Sequence, residues 1–373
     1  CSLGDITHSD ACYEKALEVS NDRSARAKRC LAYNAYGRGE YEKSKILWES
    51  ALALNSMYSN GWFALGAAAL KARDVEKALD GFTRAVQLDP ENGEAWNNIA
   101  CLHMIKKKSK ESFIAFKEAL KYKRDSWQMW ENYSQVAFDV GNIGQSLEAI
   151  KMVLNMTNNK RIDVELLEKI MQYLEERTSA RLTAVTNDDD LPSQTSSDSI
   201  PCSVNPSANA EKNAGRLREN EHLLEFLGKI LQQIVRSESR PELWGLYARW
   251  HRIKGDLTMC CEALLKQVRS YQGSNLWKDE DRFKSFAQAS LDLCEVYMDI
   301  SSSTNSRREL HTAEMHLKNT LKQASSLVLR FMDRVAASFT FSAGTFSDTE
   351  EFRKLEACLD EVKIKLQAET TAS

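Results

Sequence analysis

The sequence predicts an all-α protein built as a solenoid of stacked antiparallel helix pairs. Three observations predict it: scarce proline, tryptophans recurring every 34 residues, and small residues at fixed offsets from them. Five prolines in 373 residues is roughly a quarter of the ~5% usual in proteins. Pro192, Pro201 and Pro206 fall in one polar stretch, leaving only Pro90 and Pro241 for the rest. Proline costs ~3 kcal/mol inside a helix. A chain rich in Ala, Leu, Lys and Glu that keeps it out reads as helical nearly throughout.

Trp62, Trp96 and Trp130 are spaced 34 and 34, and each is followed three residues later by an apolar one: Leu65, Ile99, Tyr133, with Leu31 a period earlier. Sixteen residues after each tryptophan stands a small residue, Ala78, Ser112 or Ser146, with Ser44 preceding. A large one follows four residues on (Phe82, Phe116, Ile150; Trp48 before them), then Ala85, Ala119, Val153 and Ala51. A helix A of about 14 residues, a short turn and a helix B fill this period. The large residues are knobs, and small ones such as Gly66, Ala78 and Ala85 let the helices approach to ~8–10 Å.

Each element then has its reason. Residues 1–24 hold Ser9, Tyr13 and Ala16 in helix-B positions, so the chain is expected to begin inside a repeat and to be cut from something longer. Full copies follow at 25–58, 59–92, 93–126 and 127–160. Asp74 is placed to cap helix B of the second copy, and Pro90 to stop it. Ile162 to Arg177 has apolar residues at helical spacing and reads as the next helix A. Residues 178–215 carry Asp188–Asp190, serines and three prolines, a composition that cannot offset ordering entropy. They read as a disordered loop. Residues 216–373 form a helical region with degenerate repeats: 217–237, then Trp244, Tyr247, Cys260 and Leu264 in repeat-like positions, then stretches near 281–300 and 308–337. A last helix is expected from Ser347-Asp348 to about Leu366.

The columns match the tetratricopeptide repeat pattern, with its Trp-x2-Leu-Gly, Ala-x3-Phe-x2-Ala and closing Pro. That resemblance implies a right-handed superhelix whose concave groove is lined by helix-A positions 2, 5, 9 and 12. The groove residues are then Arg26, Arg29, Tyr33 and Tyr36; Asn60, Phe63, Ala67 and Leu70; Glu94, Asn97, Cys101 and Met104; and Gln128, Glu131, Gln135 and Phe138. Asn98 and Asn132 stand at position 6 of their copies. The second copy is apolar and its neighbours polar or aromatic, which suits an extended peptide or a helix. An adjacent part of a longer protein is the alternative occupant.

Repeats of this kind that grip the C-terminal carboxylate of Hsp70 or Hsp90 need Lys and Asn, Asn, then Lys and Arg. Here only Asn98 is present; Phe63 and Ala67 replace the first pair, Gln128 and Asn132 the last. Without cations the carboxylate has no charged partner, so clamp-type chaperone binding is not expected.

Catalysis finds no foothold. There is no phosphate-binding glycine loop, nucleophile elbow, HExxH or EF-hand spacing. No catalytic, cofactor-binding or metal site is therefore expected. Nine cysteines lack CxxC spacing and read as reduced, mostly buried thiols of an intracellular protein, cytoplasmic or nuclear. The longest apolar run, Gly61 to Leu70, is far short of the ~20 residues that span a bilayer. With net charge −3 the chain offers nucleic acid no global field. One basic cluster, Lys106–Lys108, Lys110, Lys117, Lys121, Lys123 and Arg124, leaves an RNA-contacting helical repeat as the second reading. A helical prenyltransferase subunit is the third, although the Trp-Asn-Tyr-Arg string of such repeats is absent.

Some strings are more particular. Trp127-Gln128-Met129-Trp130-Glu131-Asn132-Tyr133, Leu243-Trp244-Gly245-Leu246-Tyr247-Ala248, and Trp277-Lys278 followed by Phe283-Lys284-Ser285-Phe286 resemble the C-terminal half of the tetratricopeptide repeat protein 27 family. The resemblance spans about 25–290. It implies a non-enzymatic interaction scaffold tied to chaperone-assisted assembly of large complexes, with no catalytic residues to carry over.

Overall fold

The structure, a computed structural model, describes residues 6–186, 206–272, 280–304, 307–335 and 349–371. Among the described residues there are sixteen helices and no strands, in two units, Cys1–Ile162 and Asp163–Ser373. The first unit holds α1 (Ile6–Val19) and then four pairs. These are α2 (Ala25–Gly37) with α3 (Tyr41–Leu54), α4 (Ser59–Lys71) with α5 (Val75–Leu88), α6 (Gly93–Ile105) with α7 (Ser109–Tyr122), and α8 (Trp127–Asp139) with α9 (Ile143–Thr157). Each helix packs on its partner, and each B helix on the next A helix, as a solenoid of tetratricopeptide pairs requires.

The period is visible in the turns as well as the core. Position 15 of every copy has positive φ: Gly39 (82°), Arg73 (64°), Lys107 (56°) and Gly141 (84°). Its N–H donates to the carbonyl three residues back, and the next N–H to the carbonyl five back, as between Lys107 and Met104 and between Lys108 and His103. Those two bonds satisfy the last carbonyls of helix A and reverse the chain. Side chains of Ser24, Asp74, Asn92 and Asn142 accept the backbone N–H three residues on, each starting a helix. Asp74 is thus the cap its sequence position predicts. Its carboxyl lies below the ordinary carboxylate range, first through the Lys77 N–H and then through Lys45.

Within a pair, the helices meet at positions 8 and 20. The buried hydroxyls of Ser44, Ser112 and Ser146 donate to the carbonyls of Ala32, Ala100 and Ser134, each at 2.8 Å. The second copy has Ala78 at position 20 and, in place of this bond, bare backbone contact between positions 8 and 23. A Cβ at Gly81 would lie 2.8 Å from the Gly66 nitrogen, and one at Gly66 would lie 2.9 Å from the Phe82 ring. Phe82, Phe116 and Trp48 fill the space beside these contacts and are wholly buried.

The second unit holds α10 (Val164–Thr186), α11 (Pro206–Ser237), α12 (Pro241–Lys254), α13 (Leu257–Tyr271), α14 (Glu280–Thr304), α15 (Arg307–Val335) and α16 (Glu350–Thr371). α12 and α13 form a hairpin, and α13 through α16 pack in succession. Pro241 and Pro206 both open helices, where the missing N–H goes unneeded.

Three expectations change. The helix read over 162–177 as the next member of the array forms as α10 but packs on α12 and α11, in the second unit. Leu166, Leu167, Ile170, Met171 and Leu174 are buried within that unit. The segment 178–215, read as a loop, is helical at both ends, since α10 reaches Thr186 and α11 begins at Pro206. Ala, Leu and Arg extend the first end, and Ala, Glu and Lys after Pro206 the second. The last helix is capped by the Thr349 hydroxyl, which accepts the Phe352 N–H at 3.3 Å. Asp188–Asp190, Pro192, Pro201, Trp277, Lys278, Ser347 and Asp348 lie outside the described residues. No helix among the described residues is long and apolar enough to cross a membrane.

Urea unfolding tests these contacts. Ser112→Ala is expected to cost about 0.5–1.5 kcal/mol, one buried hydrogen bond. Gly81→Ala costs more, about 1–3 kcal/mol, because two backbones must part. Lys107→Gly is expected to raise stability by about 0.5–1 kcal/mol, since glycine meets no steric penalty at positive φ. Unchanged midpoints for all three would remove position 15 and the 8–20 and 8–23 contacts as determinants of the pair.

Candidate binding groove

The position-4 residues fix how each A helix begins. Trp62, Trp96 and Trp130 are partly buried against the core. Their indole N–H groups donate to the carbonyls of Ser56, Pro90 and Arg124 at 2.8, 2.9 and 2.9 Å, always six residues back. The seam of large residues predicts rings wholly in the core. The structure gives that place to the position-24 side chains and leaves each indole at the rim, where its polar edge finds a carbonyl. In the first copy Lys28 stands there instead. Its Nζ reaches Asp22 Oδ2 at 2.6 Å, again six residues back, and the Ser50 hydroxyl at 2.5 Å.

With the A helices so seated, the residues expected to line the groove fall into distinct environments. Arg29 places its guanidinium 4.6 Å from the centre of the Tyr58 ring. Tyr33 is half exposed and meets Trp48 edge-on at 4.8 Å, and Tyr36 meets Tyr41 at 5.3 Å. Burial, then the neighbouring Tyr58, pushes the Tyr33 hydroxyl pKa upward. One repeat on, Phe63 sits edge-on to Phe82 at 5.4 Å. Phe63, Ala67, Leu70, Cys101 and Met104 all lie partly exposed against one hydrophobic core, which makes them the members the structure brings together. Burial raises the Cys101 thiol pKa. Asn132 donates its amide to Cys101 Sγ at 3.9 Å, bridging α8 to α6. The Asn97 amide oxygen is buried without a hydrogen-bond partner.

The rest are more scattered. Glu94 pairs with Lys123 at 2.5 Å and Glu131 with Arg161 at 3.7 Å. Asn60, Gln128 and Gln135 are exposed, Gln128 accepting the Ser126 hydroxyl, while Asn98 and Phe138 are partly buried. In the basic cluster Lys106, Lys121 and Lys123 each hold a carboxylate, and Arg124 donates to the Leu120 carbonyl. That disperses the field the run of lysines implies.

Two participants were missed in the sequence. Tyr58 occupies the last position of its copy, where the other copies carry Asn92, Ser126 and Lys160; an aromatic ring among polar residues is a readable signal. The indole staples carry no sequence signal of their own, because their acceptors are backbone.

Paired helices of this period, with these columns inside, define a tetratricopeptide-repeat protein. Residues 59–92 and 93–126 match the family model described as tetratricopeptide repeat. Among curated relatives, a TPR repeat-containing protein of Schizosaccharomyces pombe is 24% identical over 97% of this chain and 39% of its own length. The tetratricopeptide repeat protein 27 homolog of Dictyostelium discoideum is 28% identical over 87% of this chain and 34% of its own. The tetratricopeptide repeat-containing protein trd-1 of Caenorhabditis elegans is 33% identical over 46% of this chain and 22% of its own. The family resemblance read from the tryptophan-rich strings therefore holds. This chain spans well under half the length of each of these relatives.

Trp96→Phe keeps a ring but removes the donor, and a loss of about 0.5–1.5 kcal/mol is expected in a thermal or urea melt. Trp96→Ala, which also opens a space against the core, should cost more. No loss for Trp96→Phe would mean that the indole N–H contributes nothing.

Proposed function

We propose that this chain is a non-enzymatic scaffold or adaptor that holds a segment of another protein, an extended peptide or a helix, along the A-helix face of its repeats. The observation that supports this most is the line of Phe63, Ala67, Leu70, Cys101 and Met104, apolar and partly exposed on successive A helices of one array. Contiguous exposed apolar surface on a folded domain marks an interaction site, and stacked repeats present it as a continuous strip. A place in chaperone-assisted assembly of large complexes rests on the resemblance to the tetratricopeptide repeat protein 27 family. A compartment inside the cell fits the same resemblance. The tested clamp positions hold Phe63 and Ala67, Asn98, and Gln128 and Asn132, none of them a cation, so binding of chaperone C-termini is not part of the proposal. The alternative, contact with RNA, is weakened by the carboxylates already held by Lys106, Lys121 and Lys123.

Phe63→Glu combined with Leu70→Glu tests the reading, since both side chains are partly exposed and tolerate charge at the surface better than core residues do. Affinity capture with quantitative mass spectrometry should show partners retained by the wild-type chain and lost by the double variant. Circular dichroism should show the helices intact. The same partners in both samples would place binding elsewhere.

A further inference from the structure

We infer that the groove from Arg29 to Leu70 takes an extended protein segment carrying a carboxylate side chain beside an apolar one. This rests on the groove reading above and adds the charge and spacing of its occupant.

The charge balance comes first. Several carboxylates of the array are already engaged: Asp22 by Lys28, Asp10 and Glu40 by Arg38, Glu94 by Lys123 and Glu131 by Arg161. Among the described residues, no such partner reaches Arg29 or Arg26; Arg29 instead lies over the Tyr58 ring. A guanidinium stacked on an aromatic face uses its flat side. Its N–H donors still point outward in the plane, in the fork that matches a carboxylate. Arg26, exposed one helical turn earlier, adds a second positive charge. This end of the groove therefore carries two guanidinium groups without an ion-pair partner among the described residues.

Spacing comes second. Arg29 and Phe63 occupy position 5 of consecutive A helices. α2 and α4 both pack on α3 at ~8–10 Å, so they stand no more than about 20 Å apart. Extended chain crosses that distance in about three to six residues at ~3.3 Å each. A segment whose acidic side chain meets Arg29 thus presents a residue about three to six positions away to Phe63, Ala67 and Leu70. Tyr33, half exposed between the two, offers a ring to the chain passing over it.

The test uses the full chain and fluorescence anisotropy with three labelled peptides of one design. In the first, Leu stands about three and about six residues from Glu in a Gly/Ser background; the others carry Gln or Lys for Glu. The Glu peptide should bind at least about tenfold more tightly than the Lys peptide, and added salt should narrow the gap. Arg29→Gln should abolish the preference and Arg29→Lys should keep most of it, which separates charge from packing. If Arg29→Gln lowers the melting temperature, Arg26→Gln at its exposed position gives the independent readout, a smaller loss in the same direction. Phe63→Asp should weaken all three peptides. Lys or Gln peptides that bind as well as Glu, yet still depend on Phe63, overturn the charge inference and leave the groove. Binding indifferent to Phe63 overturns the groove itself.

Discussion

The helix pair depends on how closely position 8 of one helix meets position 20 of the next. In three copies a serine hydroxyl spans that distance to a buried carbonyl; in the second, position 20 is Ala78, and Gly66 at position 8 and Gly81 at position 23 let backbone touch backbone. Either solution needs a small side chain at position 20, and a larger one would separate the helices. Once the pair is closed, the position-24 ring fills the gap beside it. The A-helix face opposite is then presented in the same orientation, copy after copy. The groove is a by-product of this constraint.

Periodicity made the first unit legible because its columns report on close approach, which admits few residue types. Ser44, Ser112 and Ser146 stood out for that reason, although only the structure shows that their hydroxyls bond rather than merely fit. The rim was less legible. Trp62, Trp96 and Trp130 look like core from composition, and the carbonyls that hold them at the edge leave no trace in side-chain identity. The allegiance of α10 was invisible as well, since its apolar stripe says that it packs but not on which neighbour. Tyr58 was readable as an aromatic ring at a position where other copies carry Asn92, Ser126 or Lys160.

The groove combines two chemistries that the array keeps apart. Where the helices carry Phe63, Leu70 and Met104, the surface attracts by burying apolar area and discriminates little. Around Arg29 it attracts by charge, and the stacked tyrosine holds the guanidinium in place before any partner arrives. Side chains ordered in advance lose less entropy on binding. The paired carboxylates elsewhere along the array keep competing negative charge away from this point.

The staple between position 4 and the carbonyl six residues back joins each repeat to the turn that precedes it. Three of these joints are indole bonds, neutral and indifferent to ions. The first, between Lys28 and Asp22, is ionic, and Asp22 lies largely in solvent. In a linear array, cohesion between neighbours decides where opening starts and how far it spreads. The staple ahead of α2 is therefore the one of the four that salt weakens, while the three indole staples do not respond to it.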